Sequence, residues 1–381
     1  MVYLDNAATT FPKPECVYLE MDKTNRCYAV NAGRGSYKLA RKASAIISET
    51  KKMMRELIHA DISADVIFSP SITVAFNQII KGIEIKESSI IYISPYEHNA
   101  VARTIHMLEK MDKKVTVKLL PVNEITYEID IDKMKYEFSK DKPDFVFCTH
   151  ISNVIGYILP IEEIFDAAKN YNSITVLDTA QSLGLLPVDV KKINVDIIAF
   201  AGHKTLYGPF GIGGFINITG VPINTVITGG TGSNSLDLDM PEDSEGKYEA
   251  ASCNIVAVAG LKAALTVLDQ KANYEKEKIL GDYLISQLNG LNKVKMFLPG
   301  NIKNHISIVS FIYDGITSED VGMILDEDFD IAVRTGYHCS PFIHSIIKDE
   351  KSLGTVRIGI GQYTTKEDID LLIEALKHLE D

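Results

Sequence analysis

Short apolar runs rich in β-branched and aromatic residues recur through the first part of the chain. They are DVIFS (65–69), SIIYIS (89–94), KVTVKLL (114–120), DFVFCTH (144–150), SITVLDTA (173–180), VDIIAFAG (195–202) and GGFINI (213–218). Each has the length of a strand rather than of a helix. Between several of them the apolar period changes to that of a helix, most clearly in KLARKASAIISETKKMMRELI (38–58), SITVAFNQIIKGI (71–83) and IEEIFDAAKNY (161–171). This alternation predicts an α/β sheet of about seven strands. After a glycine- and acid-rich stretch (229–247), a helical pattern over 255–270 leads into an α+β tail that contains HISIVSFIY (305–313) and a closing helix, KEDIDLLIEALKHLE (366–380). The expected organisation is a large domain over 15–254 and a small one from 1–14 and 255–381. No repeat, low-complexity tract or Ser/Gly linker interrupts the chain.

Composition narrows the function classes. The chain has 381 residues, 46% of them hydrophobic, enough for a sizeable core and two domains in one unit. Its formal charge of −12 argues against a nucleic-acid or anionic-membrane partner, both of which need clustered cations. No apolar run reaches membrane-spanning length, and MVYLDNAATT lacks the blocks of a secretory signal, so a cytoplasmic protein is expected. The cysteines, Cys16, Cys27, Cys148, Cys253 and Cys339, have no C-x-x-C spacing. Neither a disulfide framework nor a bound metal is expected, and a working cysteine would act as a thiol.

Open α/β sheets gather ligands at the carboxyl ends of their strands, and four predicted strand ends carry polar residues a core does not need. One offers Asp178 with Gln181, another His150 and Asn153, a third His203 and Lys204, and a fourth Glu97, His98 and Asn99. A desolvated lysine is a nucleophilic amine suited to carbonyl chemistry. An aspartate that stays ionised can keep a pyridinium nitrogen protonated, so Lys204 and Asp178 together fit pyridoxal phosphate. The hydroxyls of Ser69, Ser71 and Thr73 stand where a strand gives way to a helix. That position suits a phosphate as well as it suits a plain helix cap.

The segments YLDNAATT (3–10), NAGRGS (31–36), EHNAV (97–101), HISNVIG (150–156), LDTAQS (177–182), GHKTLYGPFGIG (202–213), RTGYHCSP (334–341) and GTVRIGIGQYTT (354–365) resemble, in order and spacing, the class V aminotransferase-fold enzymes. The likeness is strongest to their cysteine desulfurase and selenocysteine lyase branch and spans nearly the whole chain. It implies a pyridoxal-phosphate-dependent homodimer of fold type I. The large domain would hold a mainly parallel seven-stranded sheet, with a smaller α+β domain beside it. Lys204 would carry the cofactor covalently and move the substrate's Cα proton, Asp178 would pair with the ring nitrogen, Gln181 would bond the phenolic oxygen, and His98 would stack on the ring. Ser71, Thr73 and His203 would hold the phosphate, together with Ser252 from the neighbouring subunit. Arg357, Asn153, Asn31 and Arg34 would bind the amino-acid substrate. Cys339 matches the catalytic cysteine that takes sulfur from L-cysteine as a persulfide and releases L-alanine, with a sulfur-acceptor protein as a possible partner. The alternatives are a selenocysteine or cystine lyase, a class V aminotransferase, and a non-catalytic cofactor-binding partner protein.

The chain also departs from the family pattern. Ala201 stands before GHK where serine is usual, Ala251, Ser252 and Cys253 vary a G-T-x stretch, Tyr37 takes a place often held by histidine, and Val74 a place often held by glutamate. None of these touches Lys204, Asp178 or Cys339.

Overall fold

The computed structural model describes residues 1–32, 35, 37–111, 115–232, 236–242 and 244–380. A two-residue strand, β1 (Val2–Tyr3), is followed by the seven strands of the large sheet. These are β2 (Asp65–Ser69), β3 (Ile90–Ile93), β4 (Thr116–Leu119), β5 (Phe145–Thr149), β6 (Ile174–Asp178), β7 (Ile197–Ala201) and β8 (Gly213–Asn217). All seven apolar runs therefore become strands, in the spatial order β2-β8-β7-β6-β5-β3-β4. Only β8 runs against its neighbours, so the sheet is mainly parallel, as expected.

Parallel strands need cover on both faces, and alternate residues supply it. Val66, Tyr92, Val146, Leu177 and Ile198 point into one apolar layer with the helices Lys38–Leu57, Ile131–Lys140, Ile161–Lys169 and Ile255–Val267. Ile67, Ile91, Phe147, Val176 and Ala199 point into the other, with Ile72–Gly82 and Asn99–Lys110.

The apolar pattern over 255–270 does not form one helix. It stops at Val267, Leu268 is extended, and the side chain of Asp269 caps a new helix, Gln270–Leu288, by accepting the Ala272 N–H at 3.0 Å. The stretch 229–247 carries the start of a short helix, Ser244–Tyr248.

The remaining strands are β9 (Val294–Phe297), β10 (Ile308–Tyr313), β11 (Ile331–Ala332), β12 (Arg334–Gly336) and β13 (Thr355–Gly359). The antiparallel sheet β12-β13-β10-β9 is covered by Gln270–Leu288, Ser318–Phe329 and Lys366–His378. The last of these starts at a capping box of Thr365 and Asp368. β1 pairs with β11, and Asp5 bridges to Gly359. The N-terminal residues are thus stitched to the small sheet, which places Asp5 beside Arg357 of β13. Among the described residues no helix is long and apolar enough to cross a membrane.

Candidate active site

Strand register brings the polar strand ends together. Thr149 of β5 lies opposite Asp178 of β6, Asp178 opposite Ala199 of β7, and Ala201 opposite Gly213, which in turn faces Ser69. All of these lie along the edge where an open α/β sheet holds its ligands. Asp178 is 4% exposed and accepts the Ala180 N–H at 2.8 Å. Burial pushes its pKa up, while the nearby Lys204 ammonium works against that shift.

Lys204 lies in the tight turn that follows β7, where the Tyr207 N–H bonds back to its carbonyl at 2.7 Å. Burial lowers the pKa of its amine to about 8; Asp178 opposes this, and the Arg357 and Arg334 guanidinium groups add to it. His98 caps the helix Asn99–Lys110, its Nδ1 accepting the Ala100 N–H at 3.0 Å. That contact puts the ring proton on Nε2. Burial, then the charges of Lys204, Arg334 and Arg357, lower the ring's pKa to about 3, so the imidazole is neutral.

A candidate anion site adjoins Ala201. The side chain of Ser71 caps Ile72–Gly82, accepting the Val74 N–H at 3.3 Å, and the remaining first-turn N–H groups have no partner within the helix. This helix start presses on the sheet: a Cβ on Gly213 would lie 2.7 Å from the Ile72 nitrogen, so only glycine allows the approach. Thr73 is exposed on the same first turn. His203 sits one residue before Lys204, stacked on Phe210 with ring centroids 4.7 Å apart and 3.1 Å from Thr9 Oγ1 through its Nδ1. Burial, with the Lys204 and Lys13 charges adding to it, lowers its pKa to about 3. Its carbonyl accepts from Lys13 Nζ at 2.6 Å, and burial brings the Lys13 amine down to about 7.

The small sheet supplies the other wall. Arg357 is 2% exposed; its Nη2 pairs with Asp5 at 2.7 Å and its Nη1 donates to the Asn153 carbonyl at 2.9 Å. Its Nε has no partner among the described atoms. The Asn153 side chain donates to the His338 carbonyl at 2.8 Å, and the Asn99 N–H donates to the Cys339 carbonyl at 2.7 Å. These two bonds tie the segment bearing Cys339 to the strand ends of the large sheet. The thiol itself is half-buried, 3.5 Å from Arg334 Nη2.

The structure therefore gathers His98, Asn153, Asp178, His203, Lys204, Arg357 and Cys339 around one edge. Gln181 is buried beside them, its Nε2 donating to the Ala7 carbonyl at 2.8 Å. Asn31 and Ser252 are exposed on this chain, and Arg34 lies outside the described residues. Ser252 does not cap the helix that follows it, because the Asn254 side chain takes the Ala257 N–H at 3.1 Å.

Two residues at this edge, Arg334 and Glu97, have no role assigned from the sequence. Arg334 lies directly opposite Arg357 in the β12–β13 pair. Only the fold reveals that register, although Arg334 opens the RTGYHCSP segment. Glu97 was named at its strand end without a role. It is fully buried, and one carboxylate oxygen takes the Ser94 hydroxyl at 2.6 Å and the Thr149 N–H at 2.5 Å. Burial, then the charge of Asp178, raise its pKa to about 8. A lysine amine whose pKa is lowered to about 8, a buried carboxylate, a helix start that attracts anions and a thiol beside a guanidinium equip this edge for carbonyl and sulfur chemistry.

The family model for class-V aminotransferases matches residues 2–372. The chain belongs to the class-V aminotransferase family. Among its relatives, a probable cysteine desulfurase of Methanothermobacter thermautotrophicus is 30% identical over 387 residues, covering 99% of this chain and 94% of that protein. One from Pyrococcus abyssi is 30% identical over 393 residues, covering 100% and 94%. Among solved structures, the apo cysteine desulfurase of Thermococcus onnurineus superposes with a TM-score of 0.91 at 28% identity, covering 99% of this chain and 94% of that one. The class-V fold accounts for the arrangement of a large, mainly parallel sheet and a small antiparallel one.

Proposed function

We propose that the protein is a pyridoxal-phosphate-dependent cysteine desulfurase that converts L-cysteine to L-alanine and leaves the sulfur as a persulfide on Cys339. The observation that carries this reading is the position of Cys339. Its carbonyl is held by the N–H that follows His98, and its thiol lies beside Arg334, whose charge also acts on Lys204. A transaminase needs no thiol at that position.

The residues fit the cofactor. Lys204 would hold its carbonyl carbon, Asp178 its ring nitrogen, and Gln181 and His98 its ring, while Ser71, Thr73, His203 and the start of Ile72–Gly82 would hold its phosphate. When bound, pyridoxal phosphate supplies an electron sink for charge developing at the substrate's Cα. Lys204, once free, carries the Cα proton, a task its lowered pKa suits. The Cys339 sulfur then bonds to the substrate sulfur as the Cβ–S bond breaks. The electron pair of that bond stays with the carbon, which gains a proton, so L-cysteine and a thiol become L-alanine and a persulfide with no external oxidant. Arg357 and Asn153 orient the amino acid. We further propose a homodimer, in which Ser252, exposed on this chain, serves the site of a second copy, and a protein thiol as the final sulfur acceptor.

The deciding experiment is incubation with L-cysteine, with assays for alanine, sulfur and pyruvate. Alanine with protein-bound sulfur is expected. Pyruvate with sulfide would mean β-elimination, and the absence of both products would overturn the reading. L-Selenocysteine and L-cystine run in parallel distinguish the lyase alternatives.

Two further results are expected. Arg357→Ala removes the guanidinium that would face the substrate carboxylate and leaves Asp5 without its cation, so kcat/KM for L-cysteine should fall by the equivalent of about 2 to 5 kcal/mol, with cofactor retained. An unchanged kcat/KM would refute that role. Ala201→Ser adds a hydroxyl at the strand end that adjoins the helix start. A hydrogen bond to a charged group contributes about 1.5 to 3 kcal/mol, so cofactor release into a scavenger should slow roughly tenfold or more. Equal rates would mean that the phosphate oxygen is already served.

A further inference from the structure

The segment bearing Cys339 adopts a backbone that its sequence does not favour. His338 and Cys339 are consecutive non-glycine residues in the left-handed region, with φ of 46° and 59°. For L-residues that conformation is unfavourable and persists where surrounding contacts dictate it. The segment has such contacts. The Tyr337 carbonyl accepts the Ser340 N–H at 3.1 Å, the His338 carbonyl accepts from Asn153, and the Cys339 carbonyl from the Asn99 N–H. The Ser340 hydroxyl bonds to the carbonyls of Tyr96 and Glu97 at 3.1 and 3.0 Å.

One further contact has a support of its own. His344, in the short helix Ile343–Ile347, reaches back with Nε2 to the Tyr337 carbonyl at 2.9 Å, while its Nδ1 lies 2.6 Å from Asp349 Oδ2. Both side chains are buried, and the Tyr337 ring packs edge-on against the imidazole, centroids 4.9 Å apart. Each ring nitrogen thus lies within hydrogen-bond distance of an oxygen atom, and a buried carboxyl group and a backbone carbonyl both need such a partner. Asp349 is itself anchored: its backbone carbonyl accepts the N–H groups of Ser352 and Gly354, and a Cβ on Gly354 would strike the Gly336 backbone at 2.4 Å. The support therefore abuts the cysteine segment at Gly336 and at Tyr337.

We propose that His344, fixed by Asp349, is a positioning residue for Cys339: by holding the Tyr337 carbonyl it keeps His338 and Cys339 left-handed and the thiol beside Arg334. The proposal rests on the reading of Cys339 as the sulfur acceptor. It separates two functions of one ring, since Nε2 holds the segment and Nδ1 holds the ring.

Two variants divide these functions. His344→Asn keeps an amide near the Nδ1 position, facing Asp349, and abandons the Tyr337 carbonyl. His344→Gln places its amide near the Nε2 position and retains that contact. In the holoenzyme, His344→Asn should slow single-turnover persulfide formation roughly tenfold or more, since small misplacements of a reacting atom are costly. The absorbance change on adding L-cysteine, which does not use the thiol, should be unaltered, and His344→Gln should restore most of the persulfide rate. Alkylation of Cys339 by iodoacetamide, measured without substrate, should change rate in His344→Asn and return toward wild type in His344→Gln. Wild-type behaviour of both variants would overturn the proposal, as would equal losses accompanied by loss of the absorbance change. If His344→Asn does not fold, Asp349→Asn decides: a slower persulfide step with the absorbance change intact supports the proposal, and a wild-type rate overturns it. If wild type forms no persulfide, the reading of Cys339 fails while the alkylation comparison still judges the positioning role.

Discussion

Lys204→Ala should abolish turnover of L-cysteine, with a loss of about 10⁴-fold or more, because in the proposed function one side chain would both anchor the cofactor and move a proton. The physical basis is its charge state. An ordinary lysine is free base in roughly three molecules in ten thousand at pH 7, whereas an amine with a pKa of about 8 is free in roughly a tenth. Burial lowers the pKa, and Arg357 and Arg334 reinforce it against Asp178. In wild type, capture of pyridoxal phosphate should accelerate as the pH rises toward 8 and level off above it, since deprotonation creates the reactive form. Borohydride should fix the added mass on the peptide containing Lys204, and the alanine variant should give no such peptide while keeping its thermal midpoint without cofactor. An adduct on Lys13, the other half-buried lysine with a lowered pKa, would overturn the assignment.

The large sheet was legible because its signal is local. Seven runs of strand length with the right residue types became seven strands, and the polar residues just past them were the ones the register assembled. The carboxyl ends of parallel strands necessarily share an edge, so Asp178 and Lys204 could be paired from the sequence alone. Relations set by long-range pairing were not legible. No local pattern shows that Arg334 lies opposite Arg357, or that Asp5, stitched to β13 by the N-terminal bridge, already pairs with Arg357. The apolar stretch over 255–270 reads as a single helix because Leu268 continues its apolar pattern; the extended backbone at Leu268 and the cap at Asp269 decide the break. Charge was legible only in total. The chain is acidic overall, yet Lys204, Arg334 and Arg357 converge on one edge, a local arrangement that the net charge does not show.

Cys339→Ser should separate substrate binding from sulfur transfer. In the proposed function binding would draw on Lys204, Asn153 and Arg357, all intact in this variant, so the absorbance change on adding L-cysteine should persist. Transfer requires a sulfur nucleophile within reach of the substrate sulfur, and the serine hydroxyl is a far weaker one that cannot form a persulfide. Alanine release should fall roughly a hundredfold or more, equivalent to about 2.7 kcal/mol on the barrier, and no protein-bound sulfur should accumulate. The geometry makes the comparison clean. The substitution leaves the carbonyl held by Asn99 untouched, and a hydroxyl at Oγ can still accept from Arg334 Nη2, which lies 3.5 Å from the thiol in wild type. A folding artefact would instead alter the thermal midpoint and the absorbance change together. Full alanine release by Cys339→Ser would mean that sulfur leaves without passing through this thiol, turning the assignment toward a lyase that expels it directly. Retained binding with lost persulfide would identify Cys339 as the atom that receives it.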